Sequence, residues 1–218
     1  MNTPVPPNVG SSLIRIHKVF TRALAVSIQN SQGTGPEPAV RDGFQRFEQA
    51  FHSVLLAHHD AEDEIAFPFM KTRVPDGPFE TLSHQHRQMM PLLNVIEDWC
   101  HQGSAAWDAA NLGELHAALT ELNNLWHSHI PIEESNFSPL ACERLLTPEE
   151  NARLDGQMSN HAAQHALPNE LAVPFVIYSL EGNDRADMEK TMPPVIMEQL
   201  VPFAWKPAWA PMQPFLLD

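Results

Sequence analysis

FHSVLLAHHDAEDEIAFPFM, residues 51–70, decides how this chain is read. His58 is followed four residues later by Glu62, then by Asp63, and Pro68 stands ten positions after the histidine. The same order returns in LWHSHIPIEESNFSPL, residues 125–140, as His129, Glu133, Glu134 and Pro139. On a helix, residues four apart lie one above the other, so each pair directs an imidazole and a carboxylate at one point. Two such pairs on two helices read as the halves of a divided metal site.

The apolar residues around each pair place it on a core face. Phe44, Phe47, Phe51, Leu55, Ile65 and Phe69 step at three and four, and His58 and Glu62 fall within that stripe. Leu112, Leu115, Leu119, Leu122, Trp126, Phe137 and Leu140 form a second stripe, which His129 and Glu133 interrupt at its own spacing. His127 lies instead with His116, Thr120 and Asn123 on the polar side. An ionised glutamate on a core face is costly unless opposite charge meets it, and a metal ion held with neutral imidazoles meets two of them at once.

Two more histidines complete the set. His17 stands within the stripe Leu13, Ile16, Phe20, Leu24 and Ile28, while Arg15, Lys18 and Arg22 point away. His86 shares a face with Leu82, Met89, Met90 and Leu93, whereas His84 keeps company with Thr81 and Gln88. The convergent groups are His17, His58, Glu62, His86, His129 and Glu133, drawn from four helices. A single buried histidine is best read as part of a hydrogen-bonded core network; six groups from four helices favour metal. Imidazole with carboxylate suits iron, zinc or manganese, and four imidazoles with two carboxylates suit a pair of iron ions that the glutamates can bridge. His52, His59 and His101 read as surface residues, each off the buried stripe of its helix. His59 and Asp63 are the reserve pair should the register of the second helix be one residue out.

The order of these motifs resembles the hemerythrin-like family, the HHE cation-binding domains: a lone histidine, HxxxE, a lone histidine, HxxxE. Here they read IRIHKVF (14–20), LLAHHDAEDEIAFPFM (55–70), HQHRQMMPLL (84–93) and LWHSHIPIEESNFSPL. The resemblance spans roughly residues 11–145. It implies an all-α, up-down four-helix bundle holding a non-haem di-iron centre, two iron ions joined by carboxylate and by oxo or hydroxo bridges, that binds dioxygen, nitric oxide or peroxide. Ferritin-like di-iron proteins use Glu-x-x-His instead, and that string is missing from this chain. The oxygen-carrying hemerythrins place a second histidine one turn along the third helix, where this chain has Met90. Fewer protein ligands leave an ion more exchangeable positions, which favours reactivity or sensing over reversible oxygen carriage. Pro131, inside the second HxxxE pair, is expected to kink or bulge its helix and shift Glu133.

Three functions fit. One is a binding module that stores, buffers or senses dioxygen, a related small molecule or iron; another is a di-iron enzyme with catalase-like, peroxidase-like or oxygenase chemistry. A third is an interaction module that the metal only staples together.

Composition agrees with a single well-buried core: the chain has 218 residues, 43% of them hydrophobic. Its formal net charge of -14 argues against nucleic acid and anionic membranes as partners. No stretch approaches the ~20 apolar residues of a membrane span, and MNTPVPPNVG lacks the basic and apolar regions of a signal peptide. A cytoplasmic protein is expected, with Cys100 and Cys142 as reduced thiols.

Helix punctuation gives the remaining elements. Ser11 or Ser12 caps the first helix, the second stops near Lys71, the third opens at Pro78, and the fourth runs from about Asn111 to Arg144. Thr147, Pro148 and Glu150 form a capping box that starts a fifth helix. Residues 146–218 then read as a proline-rich helical extension packed on the bundle, with Trp205, Trp209 and Phe215 serving as a strap, a lid over the metal or a subunit contact. His161 and His165, four apart on the fifth helix, are a polar or packing pair, or a source of the ligand that Met90 does not supply.

Overall fold

The computed structural model describes residues 8–217, so most of the N-terminal stretch considered for a signal peptide lies outside the described residues. Among the described residues every regular element is helical. Four long helices carry the HxxxE and lone-histidine motifs: α1 (Val9–Asn30), α2 (Arg41–Ala61), α4 (Phe79–His101) and α5 (Ala109–Asn136). A π-helical turn, Glu62–Ala66, extends α2 into the short α3 (Phe67–Lys71). α1 packs on α5 and α2, α2 on α4, and α4 on α5. No helix among them is long and apolar enough to cross a membrane, and both cysteines are free.

Local chemistry sets the helix ends. Asn8, rather than Ser11 or Ser12, caps α1, its side chain accepting from the Ser11 amide at 3.2 Å. The helix expected from about Asn111 to Arg144 is divided: α5 ends at Asn136, and Ser138 caps α6 (Pro139–Leu145) by accepting from the Ala141 amide at 3.2 Å. Pro139 is at home there, since the first helical residue needs no amide hydrogen.

Pro131 lies within α5 without ending it, and the backbone irregularity falls after His58 instead. The Phe67 amide bonds the Glu62 carbonyl five residues back, which widens the turn ahead of Pro68, whose ring would otherwise press on the carbonyl four residues before it. The extra residue rotates α3 relative to α2. Ala66, Phe67 and Met70 are buried, whereas Ile65 and Phe69, expected in the stripe, are only partly so.

The chain after α6 folds back over the long helices. α7 (Pro148–His165) opens on the complete Thr147–Glu150 capping box; α8 (Asn169–Tyr178), α9 (Gly182–Thr191), a π-helical segment (Ile196–Ala204), α10 (Lys206–Trp209) and a 3-10 segment (Ala210–Phe215) come next. α7, α8 and the last 3-10 segment all pack on α2. Phe175 meets Phe47 at 5.2 Å between ring centroids, and Phe215 meets Phe44 at 5.3 Å. Arg46 donates to the Ala208 carbonyl at 2.7 Å and Arg22 to that of Phe215 at 2.8 Å. At Gly43 a Cβ would sit 1.8 Å from the Pro211 carbonyl oxygen, so only glycine lets the two backbones approach this closely. These contacts lie near the start of α2, roughly 20 Å along its axis from His58. Trp209 and Phe215 are buried there and do not close over the HxxxE pairs.

Covered on this many sides, α2 has little solvent face, and that overturns one expectation. His52 and His59 are buried: the His59 ring stacks on that of His86 in α4, and His52 lies near Glu97 and His101 of the same helix. His101 is exposed as expected. Glu48 on α2 is fully buried, and neither carboxylate oxygen has a partner at hydrogen-bond geometry. Burial, eased by the nearby Ser27 hydroxyl, raises its pKa to about 8.

The folded state therefore holds a proton on Glu48 over a pH range in which the unfolded chain has released it, so this residue's contribution to stability falls as pH rises from about 4.5 through about 8. Glu48→Gln is expected to match the parent near pH 5 and to exceed it at higher pH. The gap should widen by up to about 1.4 kcal/mol per pH unit in urea unfolding across pH 5 to 8.

Candidate metal centre

The six residues singled out from the sequence are all buried and come together where α1, α2, α4 and α5 meet. Glu62 and Glu133 have no exposed surface. One oxygen of Glu62 lies 3.1 Å from His58 Nε2 and the other 3.4 Å from His86 Nε2. Glu133 Oε2 lies 3.3 Å from His17 Nε2 and 3.1 Å from His129 Nε2. Each glutamate thus faces one histidine from its own helix and one from a neighbour.

Apolar clusters enclose this polar centre. Phe20, Phe51, Leu55, Met89 and Trp126 belong to the larger one, and Leu13, Phe67, Leu82, Phe137 and Leu154 to the other. Phe67 stacks on His86 and Trp126 stands edge-on to His17. A shallow surface cavity of about 500 Å³ between Ile14, Thr21 and Glu134 reaches His17 from outside.

A second layer of side chains turns the imidazoles inward. The Nδ1–H groups of His17, His86 and His129 donate to Glu134 at 3.0 Å, Asp63 at 3.0 Å and Gln85 at 3.1 Å. A ring that donates through Nδ1 presents the Nε2 lone pair at its other edge. The acid after each HxxxE glutamate therefore has a role: Asp63 reaches from the π-turn to the lone histidine of α4, and Glu134 from α5 to that of α1. Ser83 also donates to Asp63, and against the effect of burial, His86 and Ser83 hold the Asp63 carboxyl below its usual range.

Titration follows from the crowding. Burial and the adjacent Glu133 push the Glu62 pKa well up. Against its own burial, Glu133 is held well down by His17 and by hydrogen bonds from His129. Burial lowers the pKa of His17, but Glu133 and Glu134 outweigh it and lift the value to about 9. His58 and His59 are pushed well below 6.5 by burial and by neighbouring histidines.

The donor set fits a metal. Two donors about 2.1 Å from one ion and roughly 90–110° apart are about 3.0–3.4 Å from each other, the range seen between these nitrogens and oxygens. His17 Nε2, His58 Nε2, both oxygens of Glu62 and Glu133 Oε1 are buried without a partner at hydrogen-bond geometry, an expensive arrangement unless a cation meets them. Two groupings have donor atoms within 4.8 Å of one another: His17, His58, Glu62 and Glu133, and His59, His86 and His129.

A model of the hemerythrin HHE cation binding domain matches residues 11–141. The chain belongs to this hemerythrin family. No curated protein and no solved structure matches it. Family membership implies metal binding, with iron as the expected metal, and the histidine and glutamate groups supply donors for it.

Sequence reading placed His59 on the surface and kept it only as a reserve with Asp63, whereas the residue is buried against the rings of His86 and His129. It gave Asp63 only that reserve part and Glu134 none, although the repeat displayed both. His161 and His165 stack on each other at 4.0 Å and belong to neither grouping.

Removing an orienting acid should loosen the metal without unfolding the protein. Asp63→Ala and Glu134→Ala are each expected to weaken iron binding about 10–100-fold in chelator competition, while His84→Ala, on the exposed face of α4, leaves it unchanged.

Proposed function

We propose that this protein is a non-haem di-iron protein that binds dioxygen or a related small molecule, nitric oxide or peroxide, or iron itself, for storage, buffering or sensing. The reading treats α1, α2, α4 and α5 as an up-down four-helix bundle, residues 11–145 as the metal-binding unit and residues 146–218 as a helical extension packed on it. Its main support is the convergence of His17, His58, Glu62, His86, His129 and Glu133 in an apolar interior, with each glutamate within 3.4 Å of histidines from two helices. That placement suits Glu62 and Glu133 as bridges between two ions, with the four imidazoles as terminal ligands.

A pair of iron ions supplies reversible electron transfer and open positions for a small diatomic or peroxide ligand. The chain supplies the rest. Asp63, Gln85 and Glu134 fix the histidine rings so that their Nε2 atoms face inward. Phe20, Phe67 and Trp126 keep bulk water from the donors. The surface cavity lined by His17 and the partly exposed Glu134 offers a small molecule a place of approach on that side. Because burial and Glu133 push the Glu62 pKa well up when no cation faces it, iron uptake should release protons and strengthen as pH rises.

Anaerobic reduction of the iron-loaded protein, followed by oxygen, nitric oxide or peroxide, tests this by visible absorption. The expected result is a new band that forms with gas and reverses when the gas is removed, and that is lost in Glu62→Ala and Glu133→Ala. Sustained turnover of peroxide or oxidation of an added substrate would favour the enzyme. A silent spectrum, with metal removal only lowering the melting temperature, would leave the stapled interaction module.

A further inference from the structure

His59 has no role in the six-residue set, yet its surroundings are not those of a packing residue. It is 2% exposed, and both ring nitrogens are buried without a partner. A neutral imidazole carries one N–H donor and one acceptor nitrogen, and leaving either unmet in an apolar interior costs about 1–3 kcal/mol. Phenylalanine would fill the same space without that penalty. Its ring stacks on that of His86, 4.1 Å away and 14° from parallel, and stands 6.0 Å from that of His129. A nitrogen from each of His59, His86 and His129 lies within 4.8 Å of the others. Met90, one turn along α4 from His86, brings no nitrogen to this group.

We infer that His59 is a seventh ligand of the metal centre, completing a three-histidine set with His86 and His129 around one ion, while His17 and His58 hold the other. The inference rests on the proposed two-ion centre. Glu62 and Glu133 then reach both ions, since each lies against one histidine of either set. The ion at His17 and His58 has fewer protein donors, and it is the one nearer the surface cavity. Exchangeable positions therefore gather on that side.

Iron content of the full-length protein tests this without reference to activity. Wild type should carry about two irons per chain. His59→Phe, which keeps the stacked ring and loses the nitrogens, should carry about one, with helical content by circular dichroism and the melting temperature of the metal-free form close to wild type. In His59→Ala, free imidazole should restore the second iron. Two irons in His59→Phe would overturn the role of His59 and leave the metal centre intact; no iron in wild type would overturn the centre itself. Should His59→Phe fail to fold, nitrogen-15 histidine spectra of zinc-loaded wild type decide the matter. Metal-induced shifts at five imidazoles, His59 among them, support the inference, and shifts at four without it refute it.

Discussion

Two glutamates with no access to water, Glu62 and Glu133, stand beside each other inside an apolar protein, and the rest of the arrangement depends on how their charge is met. Without a cation, burial and the adjacent Glu133 push the Glu62 pKa well up, while against its own burial Glu133 is held well down by His17 and His129. Such a pair contributes little to stability by itself, because desolvation offsets most of the attraction. Its value lies in what it can hold. A cation placed between the carboxylates and the ring nitrogens favours the charged form of both carboxylates and satisfies the buried atoms together.

The protein meets this requirement by repetition. α2 and α5 each bring an HxxxE pair, and each sends the next acid across to the lone histidine of a neighbouring helix, α4 for Asp63 and α1 for Glu134. The two halves of the centre are thus built alike, with orienting groups as well as donors in corresponding places. Their backbones differ at the downstream proline: the first copy absorbs Pro68 through a π-turn, and the second stops and restarts at Pro139. His59 then belongs to one half alone, and the proposed ligand counts at the two ions become unequal.

The helical periodicity was enough to locate the buried faces of α1, α4 and α5 and to bring His17, His86, His129 and Glu133 inward, because each of these helices keeps a polar side. On α2 it brought His58 and Glu62 inward as well, but it left His52 and His59 on the surface. Amphipathic reading assumes one solvent face, and α2, packed by α4, α7, α8 and the C-terminal turns, keeps little of one, so His52 and His59 are buried against expectation. The π-turn adds a second obstacle, since a single extra residue moves the stripe from Ile65 and Phe69 to Ala66, Phe67 and Met70. Caps were legible where the side chain decides them, as at Thr147, and misplaced where a preceding residue competes, as Asn8 does with Ser11.

The central claim is that these side chains hold two ions close together. X-ray absorption fine structure of the iron-loaded protein reads that arrangement directly. The account predicts a nitrogen and oxygen coordination shell containing imidazole scattering, with a second iron within about 4 Å. A spectrum of isolated iron with no metal neighbour, or a shell without histidine, would contradict it.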